Sequence, residues 1–286
     1  FGSSHCAQFW FSHMSFTVTT GVHVVDAPAI TITEYFGHVA SKNGTCSLAL
    51  ANVREAAEEA YQAPLFDEYV VCNEGSIDII FADGERKHVG TGQAIFLPKS
   101  LRVKWVWPEP CKYTVVCLPA FSPESSGREE EEGSTCAKDS DSMMKLAQLH
   151  ENAGASTGAT EDSANTTRLS EPVLVDPVKV VDTPEITITE CFGGVATQDG
   201  TCSLALSDVK VATEQVFQCP QFDEYVLCNE GSLELLHSDG ERLCLGKGQG
   251  VFLPKGSRVK WSWPEPCKYT ALCIPAFSPA LVGREE

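Results

Sequence analysis

At 286 residues the chain has room for two domains of ordinary size, and its 43% hydrophobic and 21% charged residues are usual for a globular protein. A net charge of -18 argues against binding to a phosphate backbone, which needs clustered Lys and Arg. No stretch approaches the roughly 18 continuous apolar residues that cross a bilayer.

Residues 1–13 differ in character from the rest of the chain. Gly2-Ser3-Ser4-His5 and Ser12-His13 read as non-native or untranslated leader, and Met14 as a natural start, so this stretch is set outside the fold argument. Neither a basic nor an apolar segment comes after Met14, which makes a cytoplasmic protein the expectation. Ile30-Thr-Ile-Thr then alternates apolar and polar residues, as a half-buried strand does. Cys46 to Leu50, Tyr69 to Cys72, Ile77 to Ile80, Ala94 to Leu97, Val103 to Trp107 and Tyr113 to Leu118 read as further strands. Gly75, Asp83-Gly84, Gly90, Gly92 and Pro108-Glu-Pro110 punctuate them as turns. Arg54 to Ala60 has helical propensity, but its counterpart from Lys210 has less, so a strand or irregular lead-in is expected there.

The counterpart exists because the sequence repeats. Val22 to Glu130 aligns with Val178 to Glu286 at a constant offset and without a gap. Phe66-Asp-Glu-Tyr-Val recurs from Phe222, and Trp107-Pro-Glu-Pro-Cys-Lys-Tyr-Thr recurs from Trp263. One fold used twice is implied, with a first domain over 22–121 and a second over 178–280. Residues 122–177 between them are rich in Ser, Gly, Thr, Glu and Asp, including the run Glu129 to Glu132, and are expected to form a flexible, mostly disordered acidic linker. Met143, Leu146 and Leu149 carry helical spacing, which allows a short helix over 142–152.

Of 13 cysteines, four recur between the copies: Cys46 with Cys202, Cys72 with Cys228, Cys111 with Cys267, and Cys117 with Cys273. None forms a Cys-x-x-Cys pair, so reduced thiols packed as small hydrophobes are expected, with a Cys72–Cys117 disulfide left open.

Glu68 and, after six residues, Gly75 recur as Glu224 with Gly231; Gly92 and, after five, Pro98 recur as Gly248 with Pro254 and Gly256. These residues resemble the two motifs of the cupin superfamily, and more loosely its ethanolamine-utilisation type. The resemblance implies an all-β chain of two tandem jelly-roll barrels, a bicupin. It also implies a site of three histidines and the glutamate, projecting into each barrel around a metal ion. Here the histidine positions hold Gln62, Pro64 and Val103 in the first copy and Gln218, Pro220 and Val259 in the second. Only Glu68 and Glu224 remain, and one Glu with one Gln is a weak donor set for a transition metal, so no metal and no other cofactor is expected.

Strand alternation places Val103, Trp105 and Trp107 on one face, with Val259, Trp261 and Trp263 as their repeats. Two readings are open. Either these residues line an aromatic pocket closed at one side by Glu68 and Gln62, and in the repeat by Glu224 and Gln218, or the tryptophans fill each barrel as core. Glu68 and Glu224 are candidate acid/base residues, because a carboxyl in an apolar barrel is costly unless protonated or paired. Pairing of Glu68 with Lys104, Arg102 or Lys112, or an outward orientation, stays open. The expected function is metal-independent binding of a small organic molecule. The alternatives are a lyase, isomerase or hydrolase working through the two glutamates, and a structural protein with filled barrels. The two domains are expected to pair within the chain, and homo-oligomerisation is left open.

Overall fold

A computed structural model describes residues 16–129 and 168–286, so the expected leader and the helix over 142–152 lie outside the described residues. The described chain is built from strands, with two short 3-10 turns at Pro123–Ser125 and Pro279–Leu281. No helix among these residues is long and apolar enough to cross a membrane.

Each repeat folds into two facing antiparallel sheets. In the first, the large sheet holds β2 (Val22–Asp26), β3 (Ile30–Phe36), β4 (Ser47–Val53), β6 (Asp67–Glu74), β9 (Ala94–Leu97) and β11 (Cys111–Leu118). The small sheet holds β5 (Ala57–Glu58), β7 (Ser76–Phe81), β8 (Arg86–Gly90) and β10 (Val103–Trp107). The second repeat has the same order, with β13 (Val178–Asp182), β14 (Ile186–Phe192), β15 (Ser203–Val209), β17 (Asp223–Glu230), β20 (Gln249–Leu253) and β22 (Cys267–Ile274) in its large sheet. Its small sheet holds β16 (Thr213–Glu214), β18 (Ser232–His237), β19 (Arg242–Gly246) and β21 (Val259–Trp263). Every expected strand is present. The stretch from Arg54 is irregular apart from the two-residue β5.

Two strands belong to the other repeat's sheet. β1 (Thr17–Thr20), before the first repeat, pairs with β20 of the second. β12 (Val173–Val175), before the second, pairs with β9 of the first. The boundaries read from the sequence therefore need correction. Residues assigned to the linker after 168 are an edge strand of the first barrel, with Val175 only 4% exposed. Arg168 also reaches Asp67 at 2.5 Å, and Gln93 donates to Asp176 at 2.9 Å. The linker's first residues, to Arg128, likewise pack on the first barrel, Ala63 N donating to Gly127 O at 3.0 Å.

The large sheets meet face to face. β6 and β17 show why: Val70 and Cys72 face into the first barrel, while Tyr69 and Val71 join a cluster shared by both repeats. A strand buried on both faces loses its polar alternation, and Tyr69-Val-Val-Cys is such a run. Across the contact the Tyr69 and Phe192 rings lie 5.2 Å apart at 83°, and Phe36 and Tyr225 lie 5.2 Å apart at 77°. Those are equivalent pairs, so the contact has approximate two-fold symmetry.

All eight recurring cysteines are buried and free. Cys72 lies opposite Tyr113 and Cys117 opposite Glu68 on the paired strands. That separation is about 13 Å along the strand direction, beyond any disulfide, so the Cys72–Cys117 bridge left open from the sequence does not form.

Candidate functional site in the second barrel

β21 sends Val259, Trp261 and Trp263 inwards and Lys260 and Ser262 outwards, the alternation expected of a strand with one buried face. Its end is held by Gln218, whose backbone exchanges hydrogen bonds of 2.8 and 2.9 Å with Val259. The chain after Gly283 lies along the other side of Gln218: Cys219 N donates to Gly283 O at 3.0 Å and Glu285 N to Phe217 O at 2.9 Å. Gly283 has a φ of 61°, and a Cβ there would stand 2.7 Å from Cys219 O, so this approach requires glycine. Side chains alternate along this tail. Glu285 turns outward to Arg258 at 2.5 Å, and Arg284 lines the barrel.

The space enclosed is a cavity of about 680 Å³, within the range of small-molecule sites. Gln218, Glu224, Trp261, Trp263, Tyr269 and Arg284 are among the residues lining it. The Trp261 and Trp263 rings stack at 6.4 Å and 10°, and Trp263 stacks on Tyr269 at 5.8 Å and 16°. The tryptophans of this barrel line the cavity and also belong to its core cluster, 4% and 2% exposed, so the pocket and core readings meet in the same side chains. Val259 is a correction to the pocket reading. It is fully buried in the core and is not among the cavity's lining residues.

Glu224 projects from β17 opposite Leu253 and Cys273. Its Oε2 is buried without a hydrogen-bond partner, and burial pushes the carboxyl up to about 7. A carboxylate would be costly here, and the proton is the cheaper compensation. Trp263 Nε1 is a second buried polar atom without a partner. Unsatisfied groups of this kind cost about 1–3 kcal/mol each until something accepts or donates.

In the first barrel Glu68 is 8% exposed, and burial, then the charge of Glu59, pushes it up to about 8. The three cations considered for it are engaged elsewhere: Lys104 with Glu58 at 2.8 Å, Arg102 with Glu129 at 2.6 Å, and Lys112 with Glu74 at 2.8 Å. Glu68 neither pairs with them nor points outwards. Trp105 and Trp107 stack with Tyr113 at 5.7 and 6.3 Å, and both indole N–H groups are buried without an acceptor. Gln62 closes this barrel as Gln218 closes the other, exchanging backbone hydrogen bonds with Val103, which is 1% exposed and part of the core.

The sequence reading missed Tyr269, Gln215 and Arg284. Tyr269 was legible as an inward position of β22, on the period-two face shared with Cys267 and Cys273. Arg284 recurs as Arg128 within Gly-Arg-Glu-Glu in both copies, but it lies beyond the expected barrel boundary.

The site does not fit a transition metal. Glu224 and the Gln218 amide are the only remaining donors at the four family positions, and the described residues contain no group of three or more His, Cys, Asp or Glu placed to hold an ion.

The family profile described as ethanolamine utilisation protein EutQ matches residues 147–278. An endoribonuclease YbeY of Myxococcus xanthus (strain DK1622) is 30% identical over 95 residues, 32% of this chain and 32% of that protein. The chain thus matches about a third of that relative's length. Among solved structures, the oxalate decarboxylase of Bacillus subtilis at pH 4.6 superposes with a TM-score of 0.64 at 11% identity, over 91% of this chain and 77% of that one. A point mutant of it gives 0.65 at 11% identity, over 89% and 77%. The same enzyme studied for its Mn(II) centres gives 0.64 at 11% identity, over 91% and 76%. At such identity the likeness concerns the fold.

Proposed function

We propose that this chain, a bicupin of the cupin superfamily, binds a small organic molecule in its second barrel without a transition metal. The observation that carries the reading is the aromatic-walled cavity with the unpartnered Glu224 Oε2. A ligand that supplies the missing partner offsets the desolvation of the buried carboxyl. The free cysteines of the described residues accord with a cytoplasmic setting. The charge of -18 weighs against carrying over the ribonuclease activity named for the Myxococcus protein. The test is a thermal-shift and calorimetric screen of small acids, amides, amines and sugars, run beside metal analysis of protein purified without chelator. A saturable ligand on metal-free protein is expected. Stoichiometric Mn, Fe, Ni or Zn would overturn metal independence, and the absence of any stabilising compound would overturn the binding reading.

A second reading has its own support. A carboxyl held near 7 sits where a general acid or base works best at neutral pH. In that case Glu224, and Glu68 in the other barrel, would move a proton on the bound molecule. Glu224→Gln keeps the shape and removes the titration. Any turnover found for a bound ligand should fall by about 100-fold or more in this variant, and unchanged turnover would sink the acid/base role.

A further inference from the structure

The two barrels differ by one charge at the same place. In the first, Arg128 pairs with Glu59 at 2.8 Å. In the second, the position of Glu59 is taken by Gln215, and Arg284 has no ion pair or hydrogen-bonded side chain among the described residues. Gln215 and Arg284 both line the cavity. The acidic residues lining the cavity are Glu224 and Glu190, and Glu190 already accepts two backbone N–H groups, from Val195 and Ala196, at 2.7 Å.

The cavity walls also differ from the equivalent residues of the first copy. His38 of the first copy is Gly194 in the second, where an added Cβ would meet nothing closer than Phe277 O at 4.0 Å. Val115 becomes Ala271, a lining residue. Val180, Val195 and Phe277 stand at the lining with exposures of 40%, 58% and 39%, unusual for large apolar side chains. The second cavity therefore combines an exposed arginine at its lining with no ion pair among the described residues, an indole N–H without an acceptor, and apolar walls.

Resting on the ligand-binding reading above, we infer that the second barrel selects an organic monoanion with an apolar body, a carboxylate seated towards Arg284. The first barrel, its arginine cancelled by Glu59, does not select this charge. A planar carboxylate matches the guanidinium fork, and the stacked Trp261, Trp263 and Tyr269 accept a flat apolar body. The charge difference of Glu59 against Gln215 sets the selectivity between the barrels.

Three probes of one skeleton test this on the full chain: 3-phenylpropionate, 3-phenylpropionamide and 3-phenylpropylamine, titrated by calorimetry. The acid is expected to bind once per chain, about tenfold or more tighter than the amide, with the amine weakest. Gln215→Glu, which copies the first barrel, should weaken the acid by about tenfold and leave the amide within about twofold. Arg284→Gln should do the same, and tryptophan fluorescence checks that both variants are folded. If the amide or the amine binds as well as the acid, or Gln215→Glu does not discriminate, the charge selection is overturned while the cavity reading stands. A stoichiometry of two acids per chain would overturn the difference between barrels. Binding of none of the three overturns the inference, and the wider ligand screen then decides separately whether the cavity reading falls with it.

Discussion

The glutamate in each barrel is buried at a cost to folding, and it is the residue proposed for function. In the unfolded chain Glu68 loses its proton near the ordinary value of 4.5, and in the folded protein only near 8. Between those values the folded state holds the extra proton, so stability falls as pH rises through the window and levels off above it. Glu224 acts in the same direction between 4.5 and about 7. A Glu68→Gln variant removes the first contribution. Urea midpoints should show it closer to the wild type at about pH 5 and more stable at about pH 8, by at least ~1.4 kcal/mol, the equivalent of one pKa unit. Identical pH profiles for variant and wild type would show that Glu68 ionises normally. Glu68 stood out as a candidate because the glutamate-to-glycine spacing repeats. That it is unpaired was not legible, since Arg102, Lys104 and Lys112 are equally close in sequence and only the fold shows each holding another carboxylate.

At the scale of elements, the repeated strands were legible and the exchanged ones were not. Val103 to Trp107 announces itself by alternation, because the same barrel buries every second side chain. Val173-Leu-Val is three residues between Pro172 and Pro177, too short for a period, and its partner β9 lies in the other repeat. Nothing local marks it, and its composition reads as linker. Tertiary pairing alone makes it a strand, so its stability is the other barrel's stability. The ion pair of Arg168 with Asp67 makes this measurable. Asp67, 2% exposed, also accepts Lys99 N at 2.8 Å, and removing the arginine leaves a buried carboxylate partly compensated. Arg168→Ala, far from the first repeat in sequence, should destabilise the first barrel by about 1–2 kcal/mol, since the arginine is itself half exposed, read from chemical denaturation. No loss would show that this segment merely rests on the barrel.

For the whole molecule, the two exchanges and the shared core make the repeats one cooperative body. Each barrel lends an edge strand to its neighbour, so neither sheet is complete without residues from outside its own repeat. Between the sheets, Tyr69 OH donates to Asp199 at 3.4 Å and Asn43 donates to Tyr225 OH at 3.2 Å, the equivalent contact with one partner changed. Unfolding one barrel would expose this core and strip an edge from the other. Two-domain chains commonly unfold in separate steps; this one should not. Trp105 and Trp107 report on the first barrel, Trp261 and Trp263 on the second. Replacing either pair, together with Trp10, with phenylalanine leaves tryptophan fluorescence from the other pair alone, and both versions should unfold at one denaturant midpoint once compared with their own circular dichroism. Phe36 and Phe192 are equivalent and fully buried at the contact. Phe36→Ala, made in the first repeat, should cost about 3–5 kcal/mol and shift the signal of Trp261 and Trp263 by as much as that of Trp105 and Trp107. A shift confined to the first barrel, or two resolved transitions, would show that the barrels fold independently and that the exchanged strands are ornaments of separate domains.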